Sequence, residues 1–356
     1  MASADIDVRA RTRTGAAAGP ATAPAVELID LTKFYPGRKA DDGTPIPAVD
    51  HVNLQIQYGE VYGLLGPNGA GKSTIVRMIS TLLAPTSGQV WLCGLDARRQ
   101  ERQIRTLLGV ALGGERSLYW KLTARQNLEY FAALYGQSRR RSRERIIEVL
   151  AELDLADRAD DHIETWSTGL RQRLVIARAL LNRPKVVLLD EPSSGLDPRA
   201  AQTLQDHIRA LKSAGNTILL TTHDMLEADS LADRIGIIDG GKVAAEGTPT
   251  QLKRAVGASQ VVHARIAFAG PPQLDLFVAD LTGLAEATVA ETLPPQGGAV
   301  EVTLVGRTGD DLVPAVIAAA GRHGGTVLRV ENDPVNLKDV FLALTGRRLT
   351  GAPDQP

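Results

Sequence analysis

The feature that most constrains this chain is the glycine-rich segment GPNGAGKST at residues 66–74. It satisfies the pattern G-x-x-x-x-G-K-[ST] and lies between a predicted strand, Glu60 to Leu65, and a predicted helix, Thr74 to Leu82. Glycines allow backbone conformations closed to other residues, so consecutive N–H groups can converge on phosphate oxygens at a helix N-terminus. The segment predicts nucleotide binding and leaves kinases, GTPases and motor ATPases open.

The residue types within this segment predict separate roles. Lys72 adds a positive charge for the β- and γ-phosphates, Ser73 offers a hydroxyl ligand to Mg²⁺, and Thr74 offers a further phosphate contact. Four other positions are predicted nucleotide contacts: Gly66, Asn68, Gly69 and Gly71. The predicted ligands are therefore a nucleoside triphosphate and Mg²⁺.

A second segment, VVLLDE at residues 186–191, narrows the chemistry. Its four apolar residues predict a buried central strand that delivers two adjacent carboxylates at its C-terminal end. Asp190 is suited to hold the Mg²⁺ water shell, and Glu191 is suited to orient and deprotonate the attacking water. This pattern favours hydrolysis of the nucleotide.

The alternation of short apolar runs with helical stretches predicts an α/β fold with a largely parallel sheet. The length of the chain, 356 residues, favours two unequal domains. We expect a phosphate-loop core with an antiparallel β subdomain and a helical insertion, followed by a small α+β domain. The predicted divisions are a disordered leader (1–25), a nucleotide-binding domain (26–257, helical at about 114–165), an accessory domain (258–347) and a flexible tail (348–356).

Composition and charge limit the partners and the location. The formal net charge of −1 gives no electrostatic case for a nucleic-acid partner, and none is expected. The longest apolar stretches fall far short of a bilayer-spanning helix, and the N-terminal segment lacks the apolar core of a signal peptide. The expectation is a cytoplasmic protein.

Three further motifs follow in a fixed order: WSTGLRQR at 166–173, SSGLD at 193–197 and TTHD at 221–224. Ser167 is suited to cap a helix from Leu170 to Leu181, whose free N–H groups would form a second anion site. With these motifs in this order and spacing, the chain from Val26 to Gly257 closely resembles the nucleotide-binding subunits of ABC transporters.

This resemblance implies roles for five more residues. Ser167 and Gly169 belong to the signature segment that presents the second phosphate site, and Asp197 belongs to the loop through which two subunits touch. His223 matches the switch histidine that contacts the γ-phosphate. Tyr35 matches the aromatic residue that stacks on adenine. ATP is the implied nucleotide.

The chain departs from the family pattern at two places. Gly114 stands where the family usually carries glutamine, and the neighbouring Glu115 is a candidate substitute that differs in charge. Thr168 and Leu170 replace the usual glycine and glutamine of the signature segment. Such variants are similar to those of drug and polysaccharide exporter subunits, so activity is still expected.

The resemblance also implies partners. Two copies would pack head to tail with each ATP between Lys72 of one subunit and Ser167 of the other, at the inner face of the membrane beside a separately encoded transmembrane permease. Tyr119 and Trp120 are either an exposed anchor for that permease or core residues. The rival hypotheses are an ABC-type ATPase acting on ribosomes or DNA, and a regulatory module that has lost hydrolysis.

The C-terminal segment VNLKDVFLALTGR, residues 335–347, resembles the corresponding segment of daunorubicin-resistance-type exporter ATPases. Val340, Phe341 and Leu344 fall on one face of a predicted helix. We expect this face to complete the core of the accessory domain, with a dimer contact as the alternative. The cargo stays open among antibiotic, lipid and polysaccharide.

Overall fold

The structure is a computed structural model. It describes residues 23–40, 42–112, 117–255, 258–268, 276–277, 280–281, 288–296, 299–307, 312–333 and 336–345. Most of the predicted leader, the predicted tail, and Gly114 with Glu115 lie outside the described residues.

A six-stranded sheet, in the order β10-β9-β3-β8-β7-β6, forms the centre of the nucleotide-binding part. The order places β3, β8 and β7 next to one another, and every pair from β9 to β6 is parallel. The apolar residues of β7 and β8 are buried on both faces, as in other helix-covered parallel sheets. The strands are β3 (Val61–Leu65), β6 (Leu108–Ala111), β7 (Val186–Asp190), β8 (Thr217–Thr222), β9 (Arg234–Asp239) and β10 (Lys242–Gly247).

A second, antiparallel sheet has the order β2-β1-β4-β5. Its strands are β1 (Val26–Lys39), β2 (Pro45–Ile56), β4 (Ser87–Leu92) and β5 (Leu95–Asp96). The turn-rich composition of GRKADDGTPIP, residues 37–47, predicts a surface loop, but β1 extends to Lys39, which pairs with Pro45 of β2. Since β2 is an edge strand, its prolines remove no hydrogen bond that the sheet needs.

Two helices, α3 (Ala124–Leu134) and α4 (Arg139–Glu152), form the helical insertion. Helix α3 begins after Thr123, because Thr123 and Gln126 form a reciprocal capping box. The buried α5 joins this insertion to the central sheet. The other helices before residue 258 are α1 (Lys72–Ile79), α2 (Glu101–Leu107), α5 (Thr168–Leu180), α6 (Pro198–Ser213), α7 (Met225–Leu231) and α8 (Pro249–Ala255).

The C-terminal part contains an antiparallel sheet in the order β12-β13-β11-β14, with α9 (Leu312–Arg322) packed against it. The strands are β11 (Ala258–Phe268), β12 (Thr288–Gln296), β13 (Ala299–Arg307) and β14 (Gly325–Asp333). The sequence prediction missed β12, whose Leu-Pro-Pro stretch is unfavourable for a strand. As an end strand of this sheet, β12 can accommodate proline.

The last helix of the described residues, α10 (Leu337–Thr345), packs where the sequence prediction did not place it. Val340 and Phe341 lie in one cluster with Ala228 of α7 and Leu252 of α8, rather than in the core of the C-terminal sheet. The predicted packing of this face was therefore wrong. An amphipathic helix shows which face is covered, but its sequence does not identify the covering surface.

Replacing Phe341 by alanine should lower the free energy of unfolding by about 3 kcal/mol, because the ring is 1% exposed and its loss leaves a cavity. Leu344→Ala is the matched control on the same helix: its side chain is 44% exposed, so the change should be at most about 0.5 kcal/mol. Urea denaturation measures both, and equal effects would contradict the packing of α10.

Candidate nucleotide-binding site

The phosphate loop connects β3 to α1 and depends on glycine at two tight points. A Cβ atom at Gly66 would lie 2.3 Å from the carbonyl oxygen of Ile238, and one at Gly71 would lie 2.5 Å from that of Ala48. Gly69 and Gly71 have φ angles of 80° and 109°. The backbone therefore adopts the tight turn that the glycine spacing predicts.

Lys72 is the first residue of α1, and its side chain is only 4% exposed. Its Nζ atom donates to the carbonyl oxygens of Gly66 at 2.7 Å and Pro67 at 3.1 Å. The same atom lies 3.3 Å from Oε1 of Glu191. Burial lowers the pKa of Lys72, while Glu191 and Asp190 act in the opposite direction. The loop thus holds an ammonium group beside the carboxylates that follow β7.

Asp190 brings together hydroxyl groups from two elements. Its Oδ1 atom accepts a hydrogen bond of 3.1 Å from Ser73 on α1 and one of 2.6 Å from Thr221 on β8. A serine hydroxyl beside a carboxylate is a set of oxygen donors that suits Mg²⁺, which usually keeps several waters. Ser73 and Asp190 therefore fit the predicted metal site. The sequence prediction did not include Thr221. Its position at the end of the strand next to β7 is a signal that could have identified it as a partner of Asp190.

Glu191 and His223 lie at the same edge of the central sheet. The backbone of Glu191 has a φ of 48°, and its N–H donates to the carbonyl oxygen of Thr221 at 3.0 Å and to its hydroxyl at 3.1 Å. Oε2 of Glu191 lies 3.4 Å from Nδ1 of His223. A non-glycine residue at positive φ is uncommon, and the backbone of Glu191 is held here by its two hydrogen bonds to Thr221.

A cavity of about 200 Å³ opens above the phosphate loop. Tyr35 lines it, with its hydroxyl 3.4 Å from Oγ1 of Thr74, and Asn68 lines it from the loop. Arg38 and Ala48 also line the cavity and were missed, because neither belongs to a recognisable motif. A larger hollow of about 390 Å³ lies between α4, α5 and α6 and contains none of the predicted site residues.

The signature residues form a separate group. Ser167 caps α5 by accepting from the N–H of Leu170 at 3.4 Å, and Asp197 caps α6 by accepting from that of Ala200 at 2.9 Å. A Cβ atom at Gly169 would lie 3.0 Å from Cβ of Ala200, so the two helix starts are close together. Among the described residues, no hydrogen bond or ion pair connects Ser167, Gly169 or Asp197 to Lys72.

Comparison with known proteins gives relatives along most of the chain. The family model for ABC transporters matches residues 49–194. The daunorubicin resistance ATP-binding protein DrrA2 of Streptomyces coeruleorubidus is 39% identical over 91% of this chain and 96% of its own. The Nod factor export ATP-binding protein I of Cupriavidus metallidurans is 38% identical over 85% of this chain and 93% of its own.

Solved structures agree with these relatives. An ATP-binding subunit of an ABC transporter has a TM-score of 0.57 at 30% identity, covering 65% of this chain and 93% of its own. A dimeric ATP-binding cassette bound to ADP and Pi has a TM-score of 0.55 at 30% identity, covering 63% of this chain and 98% of its own.

The sheet order, the phosphate loop and the carboxylates that follow β7 are those of a nucleotide-hydrolysing α/β protein. The chain belongs to the ABC transporter family and is an ATP-hydrolysing subunit of that family. Across the described ranges, no helix combines the length and apolarity needed to cross a membrane.

Gly71→Ala should destabilise the protein more than Gly69→Ala, although both residues have positive φ angles in the same loop. Only Gly71 faces a backbone oxygen within contact distance. We expect a loss of about 1 kcal/mol at position 69 from backbone strain and about 3 kcal/mol at position 71, where the clash adds to it. Chemical denaturation of both variants provides the measurement, and equal losses would contradict the described loop geometry.

Proposed function

We propose that this chain is the ATPase subunit of an exporter, in which two copies close on ATP and drive a separately encoded transmembrane permease. The observation that carries the proposal is the contact of 3.3 Å between Lys72 of the phosphate loop and Glu191 at the end of β7. These groups converge where the γ-phosphate of a nucleotide held by the loop would lie.

In this proposal ATP is held along the cavity above the loop. Tyr35 stacks on the adenine, the backbone of Gly66, Gly69 and Gly71 surrounds the phosphates, and Lys72 neutralises their charge. Asn68 and Thr74 add polar contacts from the same loop. Ser73 and Asp190 hold Mg²⁺, which supplies charge neutralisation at the phosphates when it is bound.

Hydrolysis is assigned to Glu191 and His223. Glu191 orients the attacking water and accepts its proton, and His223 donates a hydrogen bond to the γ-phosphate. Their separation of 3.4 Å between Oε2 and Nδ1 supports a shared role at one reacting centre. Gly114 stands where the family usually carries glutamine, and Glu115 is the candidate substitute. We expect ATP hydrolysis whether or not Glu115 takes over that role.

The second half of each ATP site is assigned to the other copy. Ser167 and Gly169 lie at the start of α5, and Asp197 lies at the start of α6, which makes a compact surface of helix N-termini. Such a surface is suited to an ATP bound by a partner, since no contact among the described residues joins it to Lys72 in the same subunit. A solved relative is itself a dimeric cassette bound to ADP and Pi.

The export role follows from the relatives. Several are named for resistance to daunorubicin or linearmycin, and others for Nod factor export. We propose a drug-like or lipid-like cargo, and a location at the inner face of the cell membrane through the permease. A solved relative described as part of the transporter complex cbiONQ supports a multi-subunit assembly. Neither a role on ribosomes or DNA nor a loss of hydrolysis is favoured by these relatives.

Glu191→Gln should bind ATP with near-normal affinity but reduce kcat at least about a hundredfold, because an amide does not accept a proton at neutral pH. The trapped ATP should also shift the variant from monomer to dimer in analytical ultracentrifugation. Ser167→Arg in the same background should prevent the dimer by placing a bulky cation at the second phosphate site. An unchanged rate would contradict the role of Glu191, and a strictly monomeric ATP-bound form, even with the permease supplied, would contradict the dimer.

Trp120 is the proposed anchor for the permease. Its side chain is 45% exposed, stacks on the guanidinium of Arg171 at 5.1 Å, and adjoins Tyr119, which is 47% exposed. Two neighbouring aromatic side chains that are both exposed favour a protein–protein interface.

Trp120→Ala should therefore weaken co-purification with the permease by about tenfold or more while ATP hydrolysis by the isolated subunit stays within about twofold. Ile147→Ala is the control, since this exposed apolar residue lies on α4, outside the aromatic group. Co-purification of Trp120→Ala at wild-type yield would remove Trp120 from the interface.

A further inference from the structure

Arg38 is a cation of the nucleotide cavity that the proposed mechanism does not use. It is an exposed residue near the end of β1, and it lines the cavity of about 200 Å³ above the phosphate loop. Among the described residues that line this cavity three are charged, and two of them, Lys72 and Glu191, lie 3.3 Å apart as an ion pair. The third, Arg38, makes no hydrogen bond, ion pair or ring contact within the part of the chain that the structure describes. Its charge is therefore left for a ligand.

An irregularity in the pairing of β1 with β2 accounts for the position of Arg38. Arg38 follows Tyr35 by three residues, and in a regular strand residues three apart point to opposite faces of the sheet. Both nevertheless line the same cavity. The register shifts between Phe34 and Lys39, and Gly37 within this stretch has a φ of 85°, which glycine adopts without strain. The break in the alternation therefore allows the hairpin to present an aromatic ring and a cation to one cavity.

The hairpin is held against the phosphate loop at two points, one on each side of Arg38 in the sequence. Before it, the hydroxyl of Tyr35 lies 3.4 Å from Oγ1 of Thr74. After it, the carbonyl oxygen of Ala48 would lie 2.5 Å from a Cβ atom at Gly71. Because Thr74 and Gly71 belong to the loop that is proposed to surround the phosphates, the segment that carries Arg38 is fixed beside that loop.

We propose that Arg38 is a phosphate-binding residue, whose guanidinium donates hydrogen bonds from the hairpin side to the phosphates that ATP and ADP share. A guanidinium is always charged, and its planar set of N–H groups matches phosphate oxygens in pairs. Lys72 and Glu191 converge on the proposed position of the γ-phosphate, whereas Arg38 lies on the same hairpin as Tyr35, which is proposed to stack on the adenine. Arg38 is therefore assigned to the phosphates nearer the adenine. The proposal rests on the ATP site proposed above.

Arg38→Met tests this in the full-length chain, because methionine is also long and unbranched but carries no charge. We expect the Kd for ADP to rise about tenfold, since a charge-assisted hydrogen bond is lost, and the Kd for adenosine to stay within about twofold. Displacement of a fluorescent ADP analogue in the presence of Mg²⁺ measures both. ADP is the product of hydrolysis, so the measurement does not depend on the roles proposed for Glu191 and His223.

Lys39→Met is the matched control, because Lys39 is the next residue of the same hairpin, is also exposed, and is not among the residues that line the cavity. It removes the same charge and should leave the Kd for ADP within about twofold of wild type. Arg38→Lys keeps the charge and should stay within about threefold of wild type. Raising NaCl from about 0.05 M to about 0.5 M should narrow the difference between wild type and Arg38→Met, since salt screens an exposed charge.

A wild-type Kd for ADP in Arg38→Met would overturn the proposal, as would an equal loss in Lys39→Met, which would reduce the effect to net charge. A loss for adenosine as large as the loss for ADP would assign Arg38 to the base and overturn the phosphate contact. Tyr35→Ala in the same assay should weaken adenosine and ADP alike, and it tests the proposed adenine site separately. Failure of the wild-type chain to bind ADP would contradict the proposed site itself, so the two failures are distinguishable.

Discussion

The site depends on the parallel pairing of β3, β8 and β7. In this register Leu65 lies opposite Thr222, and Asp190 lies opposite Thr221, so the carboxyl ends of all three strands finish at one edge. The phosphate loop follows β3 and His223 follows β8, while the two acids are the last residue of β7 and the residue after it. Strand pairing therefore brings together residues that are far apart in sequence, and their side-chain contacts form at this shared edge.

The polar partners of the two adjacent acids then give them different surroundings. Asp190 and Glu191 are adjacent acids, yet they face different partners: Asp190 accepts from hydroxyls at 2.6 and 3.1 Å, and Glu191 lies 3.3 Å from the ammonium of Lys72. In the proposed mechanism, this division separates the metal-binding carboxylate from the proton-accepting one within two residues of chain. Thr221 maintains it by bonding to the carboxylate of one and the N–H of the other.

Much of this arrangement is predictable from the sequence, because each motif directly follows or precedes an apolar run of strand length. The phosphate loop, the buried strand before Asp190 and the capping box at Thr123 are all local signals. Contacts made between elements are not local. Arg38 enters the cavity only through the path of the β1–β2 hairpin, and β12 is recognisable as a strand only through its pairing with β13. Such features depend on tertiary structure, which the sequence pattern of one segment does not encode.

The position of α10 has a consequence for the order of folding. Leu252 of α8 and Phe341 of α10 belong to one apolar cluster although 89 positions separate them in the sequence. During synthesis the apolar surface of α7 and α8 therefore emerges from the ribosome well before the helix that covers it. The nucleotide-binding part therefore completes its packing only after α10 has been synthesised, and until then it exposes an apolar surface of the kind that chaperones recognise.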